Sequence, residues 1–163
     1  MSMTGELLRV SPAKLKSILD APDSLIYGWF DEALQDNCFS VEKTWNAIEF
    51  MLDMLHEDGV IPRILPFESE SPVGVDFHYG PVTYHSPEDV GAIAGHLARI
   101  DEKLLKTVYR PEQMTELGVY PDIWDRADER EENFEYVWSY FKALSEFYNR
   151  ACRNGDAVLY HLG

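Results

Sequence analysis

The sequence predicts an α+β fold that is mainly helical, with a small sheet formed by N-terminal, central and C-terminal strands. Three observations predict it. Apolar residues recur every three or four positions in several segments, which is the period of a helix. Residues Val73 to Tyr79 alternate between apolar and polar side chains, as a strand does. The short apolar runs GELLRV and AVLYHL lie near the two ends and are expected to pair, because such short strands need a neighbour.

Length and composition indicate one globular domain over residues 1–163, with 45% hydrophobic and 13% aromatic residues. No apolar run reaches the roughly 20 residues that cross a bilayer. The opening MSMTGELLRV lacks the basic and apolar regions of a signal peptide. Two cysteines make no disulfide framework. We therefore expect a cytoplasmic protein.

The charge is strongly negative, with 29 acidic residues against 14 Lys and Arg and a formal net charge of -15. Such a protein repels phosphates and anionic lipids, so we expect no nucleic acid and no membrane partner. A basic protein partner or a cation fits the charge. Solubility alone also accounts for it.

The first third of the chain predicts a strand and three helices. Gly5 to Val10 is the strand, and Ser11-Pro12 supplies an N-cap and a first-turn proline for the first helix. Asp23 to Leu34 has an apolar face typical of a second helix. Ser40 is expected to open a third helix that ends at Gly59. The apolar positions of the second helix are Leu25, Ile26, Trp29, Phe30 and Ala33.

The middle of the chain predicts a long exposed loop, Val60 to Gly74, and then the alternating strand. Gly80-Pro81 is expected to break that strand. Ser86-Pro87-Glu88-Asp89 follows a capping-box pattern, and a helix is expected from there to Leu105.

The last third predicts one long apolar helix, about Glu129 to Arg153, and a final strand after Asn154-Gly155. One stripe of this helix contains Phe134, Val137, Trp138, Phe141, Leu144 and Tyr148. The second stripe contains Tyr136, Tyr140 and Phe147. A helix that is apolar on two sides lies between layers or shares one side with a second subunit, so a homodimer through this helix is one expectation.

Sequence signatures of common enzyme and metal-binding classes are absent. The chain contains no phosphate-binding glycine loop, no dinucleotide fingerprint, no C-x-x-C, no H-E-x-x-H and no EF-hand loop. We therefore predict no cofactor and no metal.

Asp76, His78 and His85 are the best candidates for chemistry. Asp76 and His78 point to the same side of the predicted strand, where a carboxylate can orient an imidazole. His85 would join them across the Gly80-Pro81 bend, which would give an acid–base pair or a two-histidine, one-carboxylate metal site. The alternative is a solvated polar strand face. His161, in the final strand, is interpreted as packed or solvated.

The loop YPDIWD is the most suggestive binding feature. Tyr120 and Trp124 could line a pocket with Asp122 and Asp125 as polar anchors. Equally, Trp124 could fill the core while the aspartates cap the next helix. The acidic run Asp122 to Glu135 could face a basic partner, or it could simply complement the dipole at the start of that helix.

The chain resembles the YfbM-like family of small bacterial proteins, whose function is unknown. The resemblance rests on MSMTGELLRVSPAKL, FSVEKTWNAIEFML, YGPVTYHSPEDVGAIAGHL, GVYPDIWD and YFKALSEFYNRACRNGDAVLYHL. It departs at Ser2, where the family usually has glycine. It implies an α+β fold in a bacterial cytosol and brings no catalytic residue. It suggests a shared surface that includes Tyr79, Tyr84 and Tyr120 to Trp124.

Two functions follow as hypotheses. The first is a non-enzymatic acidic protein that binds a protein partner, of the immunity or inhibitor kind, with Tyr79, Tyr84, Tyr120, Trp124 and Asp125 as binding residues. The second is a small enzyme or metal-dependent hydrolase that uses Asp76, His78 and His85.

Overall fold

A computed structural model describes residues 2–31 and 35–163, and these form one five-stranded antiparallel sheet with helices on both faces. The strand order is β2-β1-β5-β4-β3. The strands are β1 (Gly5–Val10), β2 (Cys38–Glu42), β3 (Pro72–Phe77), β4 (Gly80–His85) and β5 (Ala157–Leu162). The α+β class and the sheet built from both ends and the middle of the chain are therefore confirmed.

The two terminal strands form the centre of the sheet. β1 pairs with β5 along its whole length, from Gly5 opposite Leu162 to Val10 opposite Ala157. Both strands are apolar because each is covered on both faces, as the burial of Leu7 and Leu8 illustrates.

The helices within the described residues are α1 (Pro12–Asp20), α2 (Ser24–Gly28), α3 (Trp45–Glu57), α4 (Pro87–Leu97), α5 (Glu102–Thr107), α6 (Pro111–Glu116) and α7 (Arg130–Asn154), with a 3₁₀ turn at Ala127–Glu129. The predicted caps hold: Ser11 Oγ accepts from the Lys14 N–H, and Ser86 Oγ accepts from the Asp89 N–H. Gly155 ends α7 in the left-handed conformation, with φ of 67°. None of these helices has the length and apolar character needed to span a bilayer.

Three predicted helices were wrong in extent. Ser40 opens no helix but lies in β2, where it pairs with Glu6 of β1, and the next residue, Val41, is buried in the core. The helix expected to reach Leu105 ends at Leu97, and Asp101 caps a separate helix by accepting from the Leu104 N–H. The second predicted helix is the single turn α2, and Ala33 and Leu34 lie outside the described residues.

Two turns also differ from the prediction. The break after β3 is a tight hairpin whose tip is His78-Tyr79, since Phe77 pairs with Gly80 and Pro81 already belongs to β4. The loop expected to be exposed after Gly59 instead buries Ile64 and Phe67 in the core.

The sheet separates two cores. We call the side under α3, α4 and α7 the covered face; its core includes Leu7, Val158 and the apolar stripe of α7. We call the side under α1 and α2 the open face; its smaller core includes Leu8, Leu159 and Trp29. The second stripe of α7 packs partly within the chain, because Phe147 stacks on Phe39 of β2 at 5.4 Å. The homodimer stays a prediction.

Candidate functional site

The three residues predicted to carry chemistry do not meet. Asp76 and His78 lie exposed at the hairpin end of β3, whereas His85 lies at the other end of β4, about 16 Å along the strand. His85 faces the covered side, buried, with its Nε2 3.0 Å from the Phe67 carbonyl oxygen. Over residues 2–31 and 35–163, no group of three His, Cys, Asp or Glu side chains could hold a metal ion.

The predicted aromatic binding residues are also dispersed. Trp124 is 1% exposed and fills the core, where its Nε1–H donates to the Val119 carbonyl at 2.7 Å. Tyr120 stacks on Trp45 with centroids 6.0 Å apart, and its hydroxyl accepts from the Met3 N–H. Each of these side chains therefore has a structural task.

The remaining predicted binding residues also lie apart from one another. Tyr79 is 41% exposed at the hairpin tip, and Tyr84 packs half-buried against the open-face core. Asp125 is exposed ahead of the 3₁₀ turn. The structure does not gather the five residues into one pocket.

A cleft of about 630 Å³ lies on the open face, at the end of the sheet where β1 begins and β5 ends. Its lining is mostly apolar and comes from four segments of the chain. The described lining residues are Thr4, Glu6, Ile26, Trp29, Phe30, Asp76, Phe77, His78, His161 and Gly163. The sheet topology explains why these segments meet. The start of β1, the end of β5 and the β3–β4 hairpin all lie at the same end of the sheet, and α2 covers that end. Asp76 and His78 therefore belong to this cleft, without His85.

His161 is the central polar group of the cleft. The residue is only 4% exposed, and its ring packs edge-on between the rings of Trp29 and Phe77, with centroid distances of 4.5 Å and 4.8 Å. Neither Nδ1 nor Nε2 has a hydrogen-bond partner among the described residues. Burial lowers the pKa of His161 to about 4, a backbone contact with Leu162 partly opposes this shift, and the neighbouring His78 adds a smaller lowering. At neutral pH the ring is therefore an uncharged imidazole, with one N–H donor and one acceptor nitrogen.

Glu6 lies beside His161 in the same row of the sheet. The two residues are direct partners across β1 and β5, and Ser40 of β2 lies opposite Glu6 on its other side. Ser40 Oγ donates to Glu6 Oε1 at 2.8 Å. Burial raises the pKa of Glu6 although the Ser40 and Thr4 hydroxyls oppose that shift. No Lys or Arg among the described residues forms an ion pair with Glu6.

Cys38 lies near this row but is not prepared as a nucleophile. Its Sγ is 3.9 Å from the Trp29 carbonyl oxygen. Burial and then the charge of Glu6 raise the pKa of the thiol. A thiolate nucleophile needs the opposite shift, so the surroundings of Cys38 do not activate its thiol.

Sequence reasoning missed Glu6 and Trp29 as cleft residues and interpreted His161 only as packed or solvated. One signal was present: Glu6 and His161 are ionisable residues inside mostly apolar terminal strands. An ionisable residue in a strand covered on both faces needs a partner or a function.

The comparisons with known proteins agree with the fold. The sequence model of a family described as "Domain of unknown function (DUF1877)" matches residues 1–161. The crystal structure of YfbM from Escherichia coli, a protein of unknown function, is similar with a TM-score of 0.70 at 16% identity, over 98% of this chain and 99% of that chain. No curated protein matches the sequence. The family match, which confirms the resemblance noted in the sequence, covers nearly the whole chain. The chain belongs to the DUF1877 family, a family of unknown function.

Proposed function

We propose that this protein binds a small organic molecule, largely apolar and with one hydrogen-bonding group, in the cleft on the open face. The single observation that supports the proposal is His161, whose two ring nitrogens are buried beside the cleft without partners. A buried polar group without a hydrogen bond costs about 1–3 kcal/mol. A ligand that bonds to the imidazole removes this cost, and the protein alone does not.

The rim of the cleft supports the same proposal. Ile26 is 44% exposed and Phe30 is 71% exposed, and both line the cleft. Large apolar side chains that are grouped and exposed mark a surface that another molecule covers. A cleft of about 630 Å³ has the size of a small-molecule site.

The enzyme alternative required Asp76, His78 and His85 in one site. His85 lies on the opposite side of the sheet, where the Phe67 carbonyl satisfies it. The geometry therefore favours binding over that reaction.

The test uses 2-naphthylmethanol, an uncharged two-ring alcohol, titrated into ¹⁵N-labelled protein and followed by NMR. We expect saturable shifts in residues 4–6, 26–30, 76–78 and 161–163, together with a change in the imidazole ¹⁵N signals of His161, because the hydroxyl donates to the acceptor nitrogen. Binding should weaken at least about tenfold in His161→Phe, which keeps an aromatic ring and removes both nitrogens.

The matched control is His96→Phe, because His96 lies on α4 and does not line this cleft. That variant should bind as the wild type does. Shifts that never saturate, or that spread over the surface away from the cleft, would refute the proposal.

A basic protein partner is our second proposal, favoured by the pairing of charges around α7. Three cations near the start of α7 are already engaged: Lys106 with Glu131 at 2.6 Å, Arg126 with Glu129 at 3.2 Å, and Arg130 with Glu112. The exposed carboxylates of Asp122, Asp125 and Asp128 form no ion pair within residues 2–31 and 35–163, and so they favour a partner's charge.

The test of the second proposal captures proteins at low salt, purifies any captured protein and measures its affinity by calorimetry. We expect the affinity to fall steeply with salt and to fall further in Asp125→Lys. The variant His161→Phe should leave it unchanged, which separates this proposal from the first. A failure to capture any protein, or an affinity indifferent to salt, would end the second proposal.

A further inference from the structure

We propose that the ligand of the cleft is an organic cation, a primary amine on an apolar body, held between Glu6 and His161. This inference rests on the proposed function and adds the chemical class of the ligand. The amine's N–H groups donate to the Glu6 carboxylate and to the acceptor nitrogen of His161, and its apolar body lies against the rings of Trp29, Phe30 and Phe77.

The charges that line the cleft select the class. The described lining contains two carboxylates, Glu6 and Asp76, and neither Lys nor Arg. An anionic ligand would meet these carboxylates without a compensating cation, and like charges at short range oppose binding. A cation meets attraction from Glu6, whose side chain shares the open face with His161.

The spacing of Glu6 and His161 suits a single ammonium group. Directly opposed residues in an antiparallel pair have Cβ atoms about 4.5–5.5 Å apart and point to the same face, and Glu6 and His161 are such partners. An ammonium has three N–H donors, so one nitrogen between the two side chains can reach both. A hydroxyl has one donor and satisfies only one of them.

Glu6 lacks the charge that an amine would supply. Its carboxylate accepts from the Ser40 hydroxyl but has no ion-pair partner among the described residues. Burial raises its pKa, so the ionised form is poorly compensated in the ligand-free protein. A bound cation stabilises the carboxylate directly, in a charge-assisted hydrogen bond that is stronger than a neutral one.

The aromatic walls favour a cation as well. The rings of Trp29, Phe30 and Phe77 line the cleft beside Glu6. Aromatic faces attract ammonium groups, tryptophan most of all. The apolar body of the ligand gains from the same rings through burial of its surface.

The test compares three molecules of one shape by calorimetry and NMR near neutral pH: 2-naphthylmethylamine, 2-naphthylmethanol and 2-naphthoate. We expect the amine to bind at least about tenfold more tightly than the alcohol, because it adds a charge-assisted bond, and the carboxylate to show no binding in the cleft. In Glu6→Gln the amine should lose its advantage over the alcohol, while the alcohol should keep its wild-type affinity within about twofold.

The matched control is Glu88→Gln, which changes the net charge equally at an exposed position on α4. It should leave the preference for the amine unchanged. If the alcohol binds in the cleft and the amine binds no better, the amine inference fails and the cleft proposal stands. If none of the three binds in the cleft, the cleft proposal itself fails. The wild-type preference decides the inference even if Glu6→Gln does not fold.

Discussion

Each face of the sheet holds one buried histidine, and the two rings differ in what they bond to. His85, on the covered face, is 6% exposed and lies within 3.0 Å of the Phe67 carbonyl oxygen through its Nε2. His161, on the open face, is 4% exposed and has no partner at either nitrogen among the described residues. Burial lowers the pKa of both. The two rings are buried to a similar extent, but the His161 ring on the open face lacks the hydrogen bond that the His85 ring has.

The same difference extends to the surrounding side chains. On the covered face the Tyr148 hydroxyl donates to the Pro66 carbonyl and the Trp124 indole donates to the Val119 carbonyl. Trp45 Nε1 is the exception there, without a partner in the described part of the chain. On the open face the apolar core ends at a cleft instead of at another helix. His161 differs from Trp45 in lining that cleft, and we infer that an unsatisfied polar group at a cleft marks binding.

Replacing one tryptophan on each face should give the largest effect. Trp124→Ala leaves a dry cavity in the covered core and an unpaired Val119 carbonyl, so the free energy of unfolding should fall by about 3–5 kcal/mol. Trp29→Ala widens a cleft that water already reaches, so its loss should be at least about 1 kcal/mol smaller. Urea unfolding followed by far-UV circular dichroism measures both. Equal losses of unfolding free energy would mean that the cores on the two faces are equally well packed around their tryptophans.

Much of this covered face could be predicted from the sequence. The α7 stripe from Phe134 to Tyr148 repeats with the helical period, and its burial was expected from that pattern alone. The terminal strands could be paired because each is short and apolar. β2 could not be predicted, because its five residues resemble a helix start and form a strand only through their hydrogen-bonded pairing with β1.

The candidate site was largely beyond sequence reasoning. Asp76 and His78 were singled out, and they do line the cleft. Glu6 and His161 lie at opposite ends of the chain, and only the register of β1 against β5 makes them neighbours. Local patterns describe which face a residue takes, but not which distant residue lies opposite it.

Acid should weaken the wild type relative to His161→Leu. The pKa of His161 is about 4 in the folded protein and 6.5 ordinarily, so the unfolded chain takes up a proton first as the pH falls. The contribution of His161 to stability is thus full above about pH 6.5 and is lost towards pH 4, by at most about 3 kcal/mol. Urea unfolding of both proteins from about pH 7.5 to about pH 4.5 measures the difference.

The difference between the two proteins isolates His161 from opposing groups. Burial raises the pKa of Glu49 to about 7, so the folded protein holds that proton first and gains stability as the pH falls through 7. Both proteins share Glu49, so its effect cancels. A difference that stays constant with pH would show that the His161 ring is not held neutral.

Leucine in place of each histidine should have unequal effects near neutral pH. His85→Leu leaves the buried Phe67 carbonyl without its partner, so unfolding free energy should fall by about 1–3 kcal/mol. His161→Leu removes two unpartnered nitrogens and breaks no hydrogen bond, so stability should stay within about 1 kcal/mol of the wild type or rise. Thermal unfolding at one protein concentration compares them. A larger loss of unfolding free energy in His161→Leu than in His85→Leu would mean that His161, and not His85, makes the stabilising hydrogen bond.

The smallest effect on stability should come from Phe30→Ala, and that is what makes it the sharpest probe of the open face. Phe30 is 71% exposed and lines the cleft, so its removal uncovers little core and should change unfolding free energy by no more than about 0.5 kcal/mol. A side chain that contributes little to folding but walls a cleft should contribute to binding, so the affinity for 2-naphthylmethylamine should fall by about three- to tenfold. Tyr27→Ala provides the control, because Tyr27 is 85% exposed on the preceding helix α2 and does not line the cleft. If both variants bind the amine equally well, the exposed apolar rim has no part in ligand binding, and the contrast between the two faces reduces to His161 and Glu6.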